Sequence, residues 1–117
     1  MRLNYDLIRE IMLDIEMETD GYSNISPRLF AEVYFKQYDE KVILYHILYL
    51  RKAMLIEPLE GFEFIDITPK GHEFLNNIRN DDVWEKAKEK VYSCASSVSL
   101  SLLAQFAKEA ASKAIGL

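Results

Sequence analysis

Along the first twenty positions, apolar residues return every three or four places, at Leu7, Ile8, Ile11, Met12 and Ile15, with carboxylates and Arg9 between them. That spacing is one buried helical stripe, so a helix is predicted from Tyr5 to Glu18, closed by Asp20-Gly21. In ISPRLFAEVYFKQ the period changes. Leu29, Ala31, Val33 and Phe35 alternate on one side with Glu32 and Lys36 on the other, which predicts a strand. A helix starting at Ser26-Pro27 is the alternative reading. Asp39 is placed to cap a second helix, EKVILYHILYLRKA, with Ile43, Ile47 and Leu50 on one face and Leu44 and Leu48 beside them. MLIEPL and GFEFIDIT then read as two extended runs turned at Glu60-Gly61. In the second run Phe62, Phe64 and Asp66 share one side, and Glu63, Ile65 and Ile67 the other.

The remainder is helical. Thr68 caps, Pro69 sits where its missing N–H does no harm, and Gly71 lets the helix pass close to the hairpin, while Phe74, Leu75 and Ile78 face inward. Asn80-Asp81 starts another helix with Val83, Trp84, Ala87 and Val91 as its apolar stripe. SSVSLS caps a last one through Leu100, Leu103, Phe106, Ala107, Ala111 and Ile115, ended by Gly116. No internal repeat or flexible linker interrupts the chain. The expected fold class is α+β, mainly α: a winged-helix-like core of helix, strand, helix and two-stranded hairpin over residues 1–68, and a C-terminal helical extension over 69–117, within one domain.

At 117 residues, half of them hydrophobic and 28% charged, the chain has the composition of a single globular domain. Its formal charge of −5 argues against a protein that is basic all over, which leaves DNA binding unsupported rather than excluded. The single cysteine, Cys94, cannot form an internal disulfide framework. MRLNYDLIREIM lacks the apolar block of a signal peptide, and VILYHILYL is far shorter than the roughly 18 residues of a membrane span. A cytoplasmic protein with no membrane partner is expected.

Chemistry-bearing patterns are few. His72-Glu73 begins a helical zinc-protease motif, but the second histidine position holds Asn76, and the only other histidine, His46, lies on a different helix. Cys94 has serines but no histidine or lysine close by to activate it. The four glycines form no phosphate-cradling loop, and Asp81-Asp82 sits at a helix start, where carboxylates are expected for capping alone. The expectation is therefore no catalytic residue, no metal, no cofactor and no small-molecule substrate; the chain is not read as an enzyme.

The helix EKVILYHILYLRKA is apolar nearly all round, so something must cover its second face. Lys41, Tyr45, Tyr49 and Lys52 fall on one line at one-turn intervals with His46 at its edge, and this stripe is the candidate partner-binding site. The corresponding helix of a winged-helix domain often reads the DNA major groove, and lysines and tyrosines contact phosphates. Glu57, Glu60, Glu63 and Asp66 on the hairpin oppose that, and tyrosine is enriched at protein interfaces. A protein partner or self-association therefore ranks ahead of nucleic acid, with burial of the stripe by the C-terminal helices as the plain structural alternative. Ala104, Ala107, Ala111 and Ala114 permit close helix packing, either within the chain or between two copies.

YHILYLRKAMLIE, ITPKGHEFLNNIRNDDVWEKAKEKV and SVSLSLLAQFAKEAASKAIGL together resemble a family of phage- and prophage-encoded proteins, domain of unknown function 2513. The resemblance runs from about Asp39 to the C-terminus, with GHEFL, Arg79 and Trp84 its most specific part, and the N-terminal third matches in outline. It implies a winged-helix-like fold and a bacterial or phage cytoplasmic setting, with no established enzymatic activity, and carries over no catalytic residue. Two departures stand out: Met54 occupies a helix-end position where the family usually has glycine, and the segment from Pro58 to Asp66 is shorter than the family's usual hairpin.

Overall fold

The computed structural model describes residues 1–34, 37–61, 63–93 and 100–116. Phe35, Phe62, Cys94 and the 96–99 part of SSVSLS lie outside these residues, as do the side chains of Val33 and Tyr34. Among the described residues, six helices and one two-stranded sheet follow in the order α1 (Tyr5–Glu18), α2 (Pro27–Tyr34), α3 (Glu40–Lys52), β1 (Ile56–Pro58), β2 (Phe64–Ile67), α4 (Pro69–Ile78), α5 (Asp81–Ser93) and α6 (Leu100–Ala114). The protein is thus α+β and mainly α. It divides into two compact units, Met1–His72 and Glu73–Leu117, the division falling inside α4.

In the first unit, α1 forms where its apolar period places it, burying Tyr5, Leu7, Ile8, Ile11, Met12 and Ile15. Asn4 caps it, the side-chain oxygen accepting from the Leu7 N–H at 3.1 Å. The strand expected over ISPRLFAEVYFKQ is instead α2. Pro27 takes the first helical position, where its fixed φ favours the helix, and the buried residues Pro27, Phe30 and Ala31 are spaced for one helical face. Leu29, assigned inward by the alternating pattern, is 60% exposed, while Phe30 is buried with its ring centroid 5.9 Å from that of Phe64. Extended structure before α2 shrinks to one residue, Ile25, which bridges to Phe64 through N–H···O bonds of 2.7 and 3.3 Å.

The hairpin is antiparallel as expected, but its faces do not alternate. Ile56 pairs with Ile67, Glu57 with Asp66, and Pro58 with Phe64, so Ile65 is an extra residue in β2. A bulge of this kind shifts the side-chain parity by one, which is why Phe64 and Ile67 are both buried although a regular strand would place them on opposite faces. Thr68 then starts α4, its hydroxyl accepting from the Gly71 N–H at 3.0 Å. Gly71 passes the hairpin as foreseen: an added Cβ would lie 2.6 Å from Ile67 Cγ2 and closer still to the Leu55 carbonyl oxygen.

In the second unit Asn80 caps α5, accepting from the Asp82 and Val83 N–H groups at 2.9 and 3.1 Å. Val83, Trp84, Ala87 and Val91 are buried as their spacing predicts. α5 and α6 pack together, with Lys90 reaching the Glu109 carboxylate at 3.1 Å and lying 4.7 Å from the centre of the Phe106 ring. Leu100, Leu103 and Ala107 are buried, but Ile115 is exposed because α6 ends at Ala114 in a turn where Gly116 has φ +78°. Ala107 alone of the four stripe alanines is buried.

Candidate interaction face

The stripe residues all lie on α3, whose ends are fixed locally. At the N-terminus the Asp39 carboxylate accepts from the Lys41 N–H at 2.8 Å. At the C-terminus Met54 N–H bonds to the Arg51 carbonyl at 3.1 Å and Leu55 N–H to the Leu50 carbonyl at 3.0 Å, the paired bonds of a Schellman motif. Such a motif needs a left-handed residue after the cap, and Met54 supplies it with φ 63°. For an L-residue with a side chain this conformation costs about 1 kcal/mol, which explains why glycine suits the position better.

The inner face of α3 buries Ile43, His46, Ile47 and Leu50. Its neighbours within the first unit are α2, α1 and β1. α2, an element that the strand reading removed from view, thus packs on α3, and Leu44 and Leu48 beside the inner face are partly buried.

Of the five candidate residues, Lys41 and Lys52 are exposed, Tyr45 is 37% exposed and Tyr49 is half-buried. His46 does not belong with them: it is 0% exposed. Its Nε2 accepts from the Asn4 backbone N–H at 2.8 Å, and its Nδ1 stands 2.7 Å from the Val42 carbonyl oxygen. The amide must donate and the carbonyl must accept, so the ring is neutral with its proton on Nδ1. Burial pushes its pKa below the usual histidine value, against the smaller opposing effect of the Val42 carbonyl. Glutamate often accepts from an N-cap N–H in a capping box; here His46 does so from another helix. The apolar context LYHILYL was the available signal for a core histidine.

The hairpin acids also sort into two groups. Glu57 and Glu60 are exposed. Glu63 accepts from Asn24 Nδ2 at 2.7 Å and Asp66 from Thr19 Oγ1 at 3.1 Å, so these two fasten the hairpin to the loop between α1 and α2. Arg51 donates through Nη1 to the Gly61 carbonyl, tying the hairpin turn to the last turn of α3. Thr68 Oγ1 donates to the Met54 carbonyl at 2.5 Å and Lys70 Nζ to that of Ala53 at 3.3 Å.

His72 and Glu73 are not brought into a metal-binding group. His72 Nδ1 lies 3.8 Å from Glu16 Oε2, an exposed ring beside a half-buried carboxylate, and Glu73 Oε1 lies 3.8 Å from Lys108 Nζ, both exposed. Among the described residues no cluster of three or more His, Cys, Asp or Glu side chains could hold a metal ion. Among them, too, no helix is long and apolar enough to cross a membrane.

A family profile described as "Hypothetical protein (DUF2513)" matches residues 2–98. The chain belongs to the DUF2513 family. The match takes in the N-terminal third, where the sequence resemblance was only an outline, and stops before α6, which the quoted motifs had included. An uncharacterized protein of Haemophilus influenzae is 31% identical over 115 residues, covering 92% of this chain and 93% of its own length. No solved structure matches the chain.

Proposed function

We propose that this DUF2513 protein is a non-enzymatic winged-helix module that binds a macromolecular partner, a protein ahead of DNA, through the outer face of α3 in a phage or bacterial regulatory setting. The order of α1, the Ile25 bridge, α2, α3 and the β1–β2 hairpin supports the winged-helix reading. The observation that carries the contact face is the exposure of Lys41, Tyr45 and Lys52 along a helix whose opposite side is packed. Half-exposed tyrosine between lysines suits an interface, where an apolar ring and a polar tip both find partners.

Charge ranks protein ahead of DNA. Residues 1–72 hold thirteen acidic residues against eight basic, whereas residues 73–117 hold six of each, so the unit containing α3 carries the whole net charge of −5. An acidic surface with Glu57 and Glu60 beside the proposed face repels the phosphate backbone. The test is affinity purification of the full chain from host cells, with and without nuclease, alongside Tyr45→Ala. Nuclease-resistant partners lost in the variant, with its fold intact by circular dichroism, support the reading. Retardation of duplex DNA that falls steeply with salt and depends on Lys41 and Lys52 would instead establish the DNA-binding regulator.

A further inference from the structure

The corner where α3 ends and β1 begins joins three features. Among the described residues Met54 alone, glycines aside, has a left-handed backbone, and its side chain is 58% exposed. Among the described residues the bonds that hold the turn are made by backbone groups and by Thr68 and Lys70 on the Met54 and Ala53 carbonyls, none of them by the Met54 side chain. An unfavourable backbone that persists beneath an exposed apolar side chain points to a role outside the fold. The second feature is charge order. Exposed Lys52 precedes Met54 and exposed Lys70 lies beside it, whereas exposed Glu57 and Glu60 follow it, and among the described residues Lys52, Glu57 and Glu60 have no ion-pair partner. The third is further apolar surface, since Leu59 and Tyr45 are both more than a third exposed.

Cation, apolar centre and anion in sequence form a self-complementary pattern. A two-fold axis passing beside Met54 sets Lys52 of each copy against Glu57 of the other, the reciprocal arrangement of an isologous contact. We propose that this corner, continuous with the outer face of α3 through Lys52, is the surface by which two copies of this chain pair. The inference rests on the reading of that face as a protein contact and names its occupant. A foreign acidic or basic partner would use one half of the charge pattern; a second copy uses both. Tyr45 and Lys41, further along α3, extend the contact toward the area that a specific dimer needs.

Sedimentation velocity on the full chain, from micromolar to near-millimolar concentration, tests this directly. A monomer–dimer equilibrium is expected, with Lys52→Glu and Glu57→Lys each raising the dissociation constant by at least about tenfold. The double variant Lys52→Glu/Glu57→Lys restores the wild-type constant to within a few-fold, because the pair is reversed rather than removed. Met54→Gly weakens the dimer while raising the melting temperature of the monomer, two changes of opposite sign that damage to the fold cannot produce. A chain that stays monomeric throughout, or a dimer indifferent to both single charge reversals, overturns the proposal. If complexes from cells still require Tyr45 in that event, the contact face stands and only its assigned occupant falls.

Discussion

His46→Gln, compared with wild type across pH, probes the junction of α1 and α3 through one proton. The imidazole is fully buried, accepts at Nε2 from Asn4 and faces the Val42 carbonyl at Nδ1. Protonation would put a second donor opposite the Asn4 amide. Burial lowers the folded-state pKa beneath that of the unfolded chain, about 6.5. The sign follows: the contribution is complete above pH 6.5 and declines as pH falls toward the folded-state value, because the unfolded chain takes up the proton first. One proton gives a slope of at most about 1.4 kcal/mol per pH unit, so by about pH 5.5 wild type loses no more than about 1.4 kcal/mol through this ring. At about pH 7.5 glutamine should cost about 1–3 kcal/mol for imperfect replacement of the buried acceptor. Urea unfolding followed by far-ultraviolet circular dichroism should show the gap between the proteins narrowing on acidification, since every other side chain is common to both. A gap independent of pH between about 7.5 and 5.5 would mean that the ring is not held neutral, and the assignment of His46 to the core would fail.

Gly71→Ala should destabilise by about 2 kcal/mol or more in thermal melts, despite alanine's better helix propensity, because the methyl group meets the Leu55 carbonyl and Ile67. Gly61→Ala, with φ +77° and open space around it, should lose only about 1 kcal/mol; equal losses would show that crowding at Gly71 is unimportant. Phe30→Ala should cost about 3–4 kcal/mol and Leu29→Ala less than about 0.5 kcal/mol, the reverse of what a strand at this segment requires. Arg51→Ala should accelerate amide exchange around the Gly61 turn while the α3 amides keep their protection; unchanged exchange there would remove the tie.

Much of the fold was legible because local signals and burial agree. Asn80, Thr68 and Asp39 cap where their side chains accept nearby N–H groups, and the apolar stripes of α1 and α5 match the buried residues. The segment of α2 failed because a short run with apolar residues at 29, 30, 31 and 33 fits two periods, and the choice is settled by tertiary packing of Phe30 on Phe64. The bulge was hidden for a related reason: an extra residue changes which side chains face inward without altering composition. At the candidate face, Lys41, Tyr45 and Lys52 were readable from helical periodicity. His46 was not, since one position around the helix separates a rim from a core, and its partner Asn4 is 42 residues away. Met54 signalled itself as the absence of an expected glycine.

The supernumerary Ile65 also bears on how this hairpin can drift in length. A strand carrying one spare position can lose a single residue between Phe64 and Ile67 and settle into an even ladder that still turns both ends inward. Gaining one forces a new irregularity or sends an apolar end into water. Among homologues, shortening by one at this spot should therefore be the easier evolutionary step, with lengthening accompanied by a change of residue type at position 67.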